Sequence, residues 1–153
     1  MSTAIHRRVN ACRAGADPTL IARLPTAWAV MGDPQVLPGY CLLLPDPVVP
    51  HLNAMPPAAQ AAFLADMARL GQAVLDVTGA VRINYALFGN VEPALHAHVF
   101  PRLASEPEDL RTANPWGYDW SCARAFDAAV DGPLQRALRG RLGATAGEGT
   151  RTP

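Results

Sequence analysis

One stretch, PPAAQAAFLADMARLGQAVLDVTG, constrains the fold of this chain more than any other. Phe63, Met67, Leu70, Val74 and Val77 recur at spacings of four and three, which is a single apolar stripe at the helical period. Pro57 stands near the start, where a missing amide costs nothing, and Gly79 just past the end, so the spacing predicts a helix from Pro57 to Thr78. A helix of that length with one apolar face must lay it on a second layer, and the surrounding chain offers strands for the purpose. YCLLLP (40–45) is apolar on both faces and reads as a buried strand, and AWAVM (27–31) has strand propensity. VRINYALF (81–88) puts Val81, Ile83, Tyr85 and Leu87 on one face; ALHAHVFPR (94–102) alternates again and ends at Pro101. Consecutive strands joined by short turns favour antiparallel pairing. The expected class is α+β: a sheet of about five strands packed on one long helix, with further helices at the termini.

Residues 2–14 suit a short helix, and 17–24 a second one, with Asp17 as cap, Pro18 in its first turn and Pro25 as its stop. DPVVPHLNAMPP is broken by proline and must be irregular, and the segment 104–120 reads as a polar loop. SCARAFDAAV and PLQRALRGRL are helical and are divided by Gly132 and Pro133. From residue 143 the chain is small and polar, a composition that predicts a disordered tail. With 153 residues and no linker-like break, residues 1–142 are expected to form one domain.

Thirteen basic residues balance thirteen acidic ones, so the broad positive field needed for nucleic acid or a membrane surface is missing. Every basic residue is arginine, which excludes a lysine nucleophile, a Schiff base and a P-loop lysine. Cys12, Cys41 and Cys122 are odd in number and far apart, a pattern that suits a reducing cytoplasm better than a disulfide framework. The N-terminus has no apolar leader, and no run of about 18 apolar residues is present to span a membrane.

The chemistry concentrates in EPALHAHVFPR. In a strand, residues i and i+2 share a face roughly 6.5–7 Å apart, so His96 and His98 stand together with Ala94 and Phe100. Leu95, Ala97 and Val99 take the opposite, core-like face. Imidazole serves as nucleophile, base or acid near neutral pH, and two on one face allow one to attack while the other serves the leaving group. From the residues alone, three readings stand: such a catalytic pair, two polar residues on a solvated strand face, or a metal site. The last lacks a third ligand at convincing spacing among His6, His51, Asp33 and Glu106.

PALHAHVFPR, preceded by INYALFGNVE, resembles the histidine-triad (HIT) superfamily of nucleotide hydrolases and transferases. LPGYCLLLPDP is similar to that family's Pro-Gly turn and buried strand, the long helix falls between it and the motif, and GN before and PW after complete the likeness over residues 17–120. The family's Pro-Arg follows its third histidine; Pro101 and Arg102 stand in that relation to His98. On this register His98 is third, His96 is the middle, nucleophilic histidine, and Ala94 replaces the first.

The resemblance implies a nucleotide phosphohydrolase, such as a dinucleoside polyphosphate hydrolase, working through a nucleotidyl-His96 intermediate with His98 on the phosphate and leaving group. It implies Asp33 on ribose hydroxyls, Asn84, Gly89 and Asn90 near the phosphate, and an apolar base pocket at Leu20, Ile21 and Leu24. It also implies a homodimer, and the scheme requires no protein-bound cofactor or metal. The alternatives are a nucleotide-binding protein of little turnover, a nucleotidyltransferase, or an HxH metal-binding protein. From the residues, Asp33 and Asn90 equally suit plain turns, and Leu20, Ile21 and Leu24 equally suit the core.

Overall fold

A computed structural model describes residues 2–147, with side chains through residue 143. The elements run α1 (Ala4–Arg13), β1 (Leu20–Arg23), β2 (Ala27–Met31), β3 (Cys41–Pro45), α2 (Pro57–Thr78), β4 (Arg82–Ala86), β5 (Ala97–Arg102), α3 (Glu108–Arg111) and α4 (Ala128–Gly147). The strands form one antiparallel sheet in the order β1-β2-β3-β5-β4. The α+β expectation therefore holds, with α2 as its long helix.

Strand alternation divides the core in two. Ala29, Met31, Cys41, Leu43, Ala97 and Val99 face α2 and α4, where they meet Phe63, Leu70, Val74 and Leu138. Phe63 and Leu43 are completely enclosed there, and truncating a residue so placed costs roughly 3–5 kcal/mol. Val30, Leu42, Leu44 and Phe100 face the other way, where Ile5, Val9 and Cys12 of α1 cover part of the sheet. Thr3 caps α1 by accepting the His6 amide, and the His6 ring completes a capping box, so His6 is tied into the helix start rather than left to solvent.

Three expectations need correction. The segment 17–24 is not a helix. Asp17 accepts from the Thr19 amide and hydroxyl in a tight turn, and Leu20–Arg23 becomes a strand paired with β2. The run is too short to nucleate a helix alone, and the β1–β2 hairpin offers backbone partners at once. The two C-terminal helices are one: α4 runs through Pro133, and Asp127 starts it by accepting the Ala129 amide, while residues 123–127 lead in without helix. β5 does not stop before Pro101 but continues to Arg102. Only β4 flanks β5 at that end, since pairing with β3 ceases at Val99, so the missing proline amide breaks no ladder bond to β3. Of the disordered tail expected from residue 143, residues 143–147 are instead the end of α4, and the rest, from 148 onward, lies outside the described residues.

Candidate active site

The two histidines flank the start of β5, and their rings meet at 4.8 Å between centroids on the face opposite α2. They open into a cleft of about 1430 Å³ over β4 and β5, walled on its far side by the segment after β5. Leu95, Ala97 and Val99 are buried in the α2-facing core, as the alternation predicts.

His96 Nδ1 lies 2.8 Å from the carbonyl oxygen of Ala94. A carbonyl only accepts, so Nδ1 carries a proton, and in the tautomer this contact selects the lone pair is on Nε2. The support that holds the ring comes from main chain, and the alanine at position 94 does not remove it. Glu92 steadies the same turn. Its carboxylate accepts the Ala94 amide at 3.3 Å and the Ala4 amide at the start of α1 at 3.0 Å. Burial alone would raise the Glu92 carboxyl. The Thr3 hydroxyl, those two amides and the nearby His96 outweigh it and hold the group below its ordinary value.

His98 is held differently. Its Nδ1 is 2.7 Å from the Tyr40 hydroxyl. That hydroxyl has no other acceptor among the described residues, so it donates to Nδ1 and leaves the His98 proton on Nε2, a hydrogen-bond donor. Burial first, and the neighbouring His96 second, depress the imidazole from 6.5 to about 4, so His98 is neutral at physiological pH. Tyr40 is itself stacked on Phe100 at 4.4 Å, and burial pushes its hydroxyl upward, which keeps it a donor. Gly32 makes this possible: a Cβ there would strike the Tyr40 ring.

The far wall is fastened by Arg102, whose guanidinium donates to Glu106, to Asn84 Oδ1 and to the carbonyls of Leu110, Arg111 and Ala113. Glu106 also accepts from the Leu103 amide and the Tyr118 hydroxyl. Burial would raise this carboxyl, but Arg102, Tyr118 and the Leu103 amide together hold it low. The result is a rigid loop that presents Trp116 to the cleft, 5.3 Å from His98 and 4.8 Å from Phe88.

The remaining expected residues divide. Asn84 and Asn90 line the cleft with the histidines. Gly89 borders a smaller adjoining hollow shared with Ala94 and His51. Asp33 is exposed and accepts the Phe126 amide at 3.0 Å, and it does not line the cleft. Ile21 and Leu24 are core residues, 2 % and 3 % exposed, and Leu20 packs against the second core cluster, so none of the three reaches the cleft. They belong to a strand and its turn, not to a helix that could present one face outward.

Sequence reasoning missed Tyr40, Glu92, Phe88 and Trp116 as members of the site. The Pro-Gly-Tyr turn and the aromatic-rich PWGYDW were visible signals, but only the tertiary fold places them against the histidines. Among the described residues, no three His, Cys, Asp or Glu side chains converge in the manner a metal ion needs.

A family profile described as HIT domain matches residues 16–104, more than half of the chain. Solved structures share the fold. A histidine triad protein of Bradyrhizobium japonicum is 25% identical with a TM-score of 0.70, covering 85% of this chain and 94% of that one. One from Marinobacter aquaeolei is 18% identical with a TM-score of 0.73, covering 94% and 98%. A Zn-bound histidine triad family protein of Mycobacterium smegmatis is 21% identical with a TM-score of 0.65, covering 90% and 96%. Comparison with curated proteins gives no match.

Proposed function

Because the chain belongs to the HIT domain family, we propose that it is a nucleotide phosphohydrolase acting through a nucleotidyl-His96 intermediate. The observation that supports this reading is Nδ1 of His96 held on the Ala94 carbonyl beside the cleft, which leaves Nε2 as the ring nitrogen for attack. In the proposed reaction, Nε2 attacks the α-phosphorus of a nucleotide such as a dinucleoside polyphosphate. A P–N bond forms as the bond from phosphorus to the leaving phosphate oxygen breaks. Water then attacks the phosphorus, the P–N bond breaks with its electrons returning to Nε2, and a nucleoside monophosphate departs.

Neutral His98 donates from Nε2 to a phosphoryl oxygen and supplies polarity without charge repulsion against the imidazolium-like intermediate. Asn84, Asn90 and the Gly89 turn serve the phosphate oxygens in a chain without lysine. Asp33, which accepts the Phe126 amide outside the cleft, has no part in this scheme.

The second reading is a nucleotide binder with little turnover, and Ala94 favours it, because a histidine there would add a hydrogen-bonding side chain beside the nucleophile. A transferase would pass the same intermediate to another acceptor. A homodimer is proposed through β4, a sheet edge with unpaired backbone groups beside exposed Val81, Tyr85 and Leu87. The unpaired thiols of Cys12, Cys41 and Cys122 suit a cytoplasmic protein. No helix of the described residues is long and apolar enough to cross a membrane.

The test is mass spectrometry after incubation with labelled diadenosine polyphosphate. A nucleotidyl adduct on His96, absent from His96→Ala, is the expected result. An adduct on His98 would overturn the assignment, and tight binding with no product, unchanged by His96→Ala, would leave the binder.

A further inference from the structure

The turn that carries His96 lies outside the hydrogen bonding of the sheet. β3 pairs with β5 only from Ala97 onward and β4 only from His98, so residues 91–96 gain nothing from either ladder. Two bonds from elsewhere set the turn instead. The Leu95 amide donates to the Val49 carbonyl at 2.8 Å, and the Ala94 amide donates to the Glu92 carboxylate at 3.3 Å. The Ala94 carbonyl, on which His96 Nδ1 rests at 2.8 Å, stands between those two amides. Its direction, and with it the direction of the imidazole, follows from how they are held.

Glu92 reaches further than this turn. Its second oxygen accepts the Ala4 amide at 3.0 Å, the first amide of α1, which has no partner within the helix. The carboxylate is thus fixed through both oxygens, one on the helix that covers this face of the sheet and one on the turn of the nucleophile. It belongs to no ion pair among the described residues, and it lines the cleft together with His96. Burial works against its charge, but its donors and the nearby imidazole outweigh that and hold it below the ordinary carboxylate range, so it is ionised at neutral pH.

Resting on the hydrolase reading, we infer that Glu92 is a positioning residue for His96 and the counter-charge of its nucleotidyl adduct. When Nε2 forms the P–N bond, Nδ1 keeps its proton, the electrons of the broken P–O bond leave with the departing phosphate, and the imidazole ring becomes cationic. A fixed carboxylate near the ring lowers the energy of that cation and of the transition state leading to it. Water then takes the nucleotidyl group and gives up a proton, the P–N electrons return to Nε2, and the ring is neutral again.

Two variants separate the parts of this role. Glu92→Gln keeps the shape and an accepting oxygen but not the charge. Ala4→Pro keeps the charge and takes away its anchor; proline suits the first position of a helix, and Thr3 before it is already extended. With labelled diadenosine polyphosphate, Glu92→Gln is expected to lower kcat about ten-fold, the scale of one charge-assisted hydrogen bond, without raising KM. Ala4→Pro should act in the same direction to a smaller extent at an unchanged Tm. An unchanged kcat in Glu92→Gln, or an effect confined to KM, overturns the assignment. If Glu92→Gln does not fold, Ala4→Pro decides alone by the same criteria. If the wild type turns over no nucleotide, the hydrolase reading fails, and nitrogen NMR spectra of the imidazoles decide the positioning of His96. A single Nδ1–H tautomer in the wild type that becomes a mixture in either variant supports it; the same tautomer state in all three proteins overturns it.

Discussion

At position 94 the main chain, not the side chain, holds the neighbouring histidine. The Ala94 carbonyl orients His96, and the Ala94 methyl group is 3 % exposed within the core cluster that α1 covers. A histidine at that position would displace packed core neighbours wherever its ring did not turn into the small hollow shared with Gly89 and His51. Ala94→His should lower stability by about 1–3 kcal/mol, seen as a reduced midpoint in urea, without raising nucleotide turnover. A stable variant with higher turnover would show that space exists there after all. His98 makes a different prediction. Its imidazole ordinarily titrates at 6.5 and is held at about 4 in the fold. Between those values the unfolded chain takes up a proton that the folded chain refuses, so stability falls as pH drops through the window. His98→Gln removes that proton uptake. The loss of Tm between about pH 7 and about pH 4.5 should be smaller in the variant than in the wild type, measured by calorimetry.

Among the elements, the segment after β5 has the most consequence. Sequence reading makes residues 104–120 a polar loop, and it has little regular structure beyond α3 and two short 3-10 turns. Its shape comes from a buried ion pair, Arg102 with Glu106 at 2.9 Å, whose side chains are 6 % and 3 % exposed. Nearly every donor of the guanidinium is used on backbone carbonyls, Asn84 or Glu106, so removing the carboxylate strands a buried cation. Glu106→Ala should cost about 3–5 kcal/mol and should loosen Trp116, read as faster amide exchange through residues 110–118. Unchanged exchange there would mean that the loop is held by other contacts. In β1, by contrast, local propensity was misleading. Leu20–Arg23 has helix-compatible residues and an apparent cap at Asp17, and the hairpin with β2 overrides both.

For the whole molecule, the proposed dimer turns on the β4 edge. β4 pairs on one side with β5, and its other side is free in the sheet order. Tyr85 leans over α2 at Gly71, where a Cβ would collide with its ring, and Leu64 on the same helix is 37 % exposed. An edge flanked by apolar groups is the geometry of a strand-to-strand dimer, for which a standard interface buries about 800 Å² per partner. Sedimentation should find a dimer at micromolar concentration, and Leu64→Glu combined with Tyr85→Glu should shift it to monomer. A monomeric wild type would remove the dimer from the account.

The sequence by itself determined the α+β class, the long helix, the buried strand at β3 and the sharing of one face by His96 and His98. Each follows from local periodicity, which a chain expresses wherever it folds. The register of the two histidines, and the roles proposed for them, rest instead on the family resemblance at Pro101 and Arg102. His96 meets the Ala94 carbonyl two residues away, but the tertiary structure alone decided the other partners: the Tyr40 hydroxyl and the Trp116 ring, from a strand start and a loop distant in the chain. Hydrogen-bond partners, burial and the depressed His98 pKa depend on long-range juxtaposition, and no local pattern encodes it.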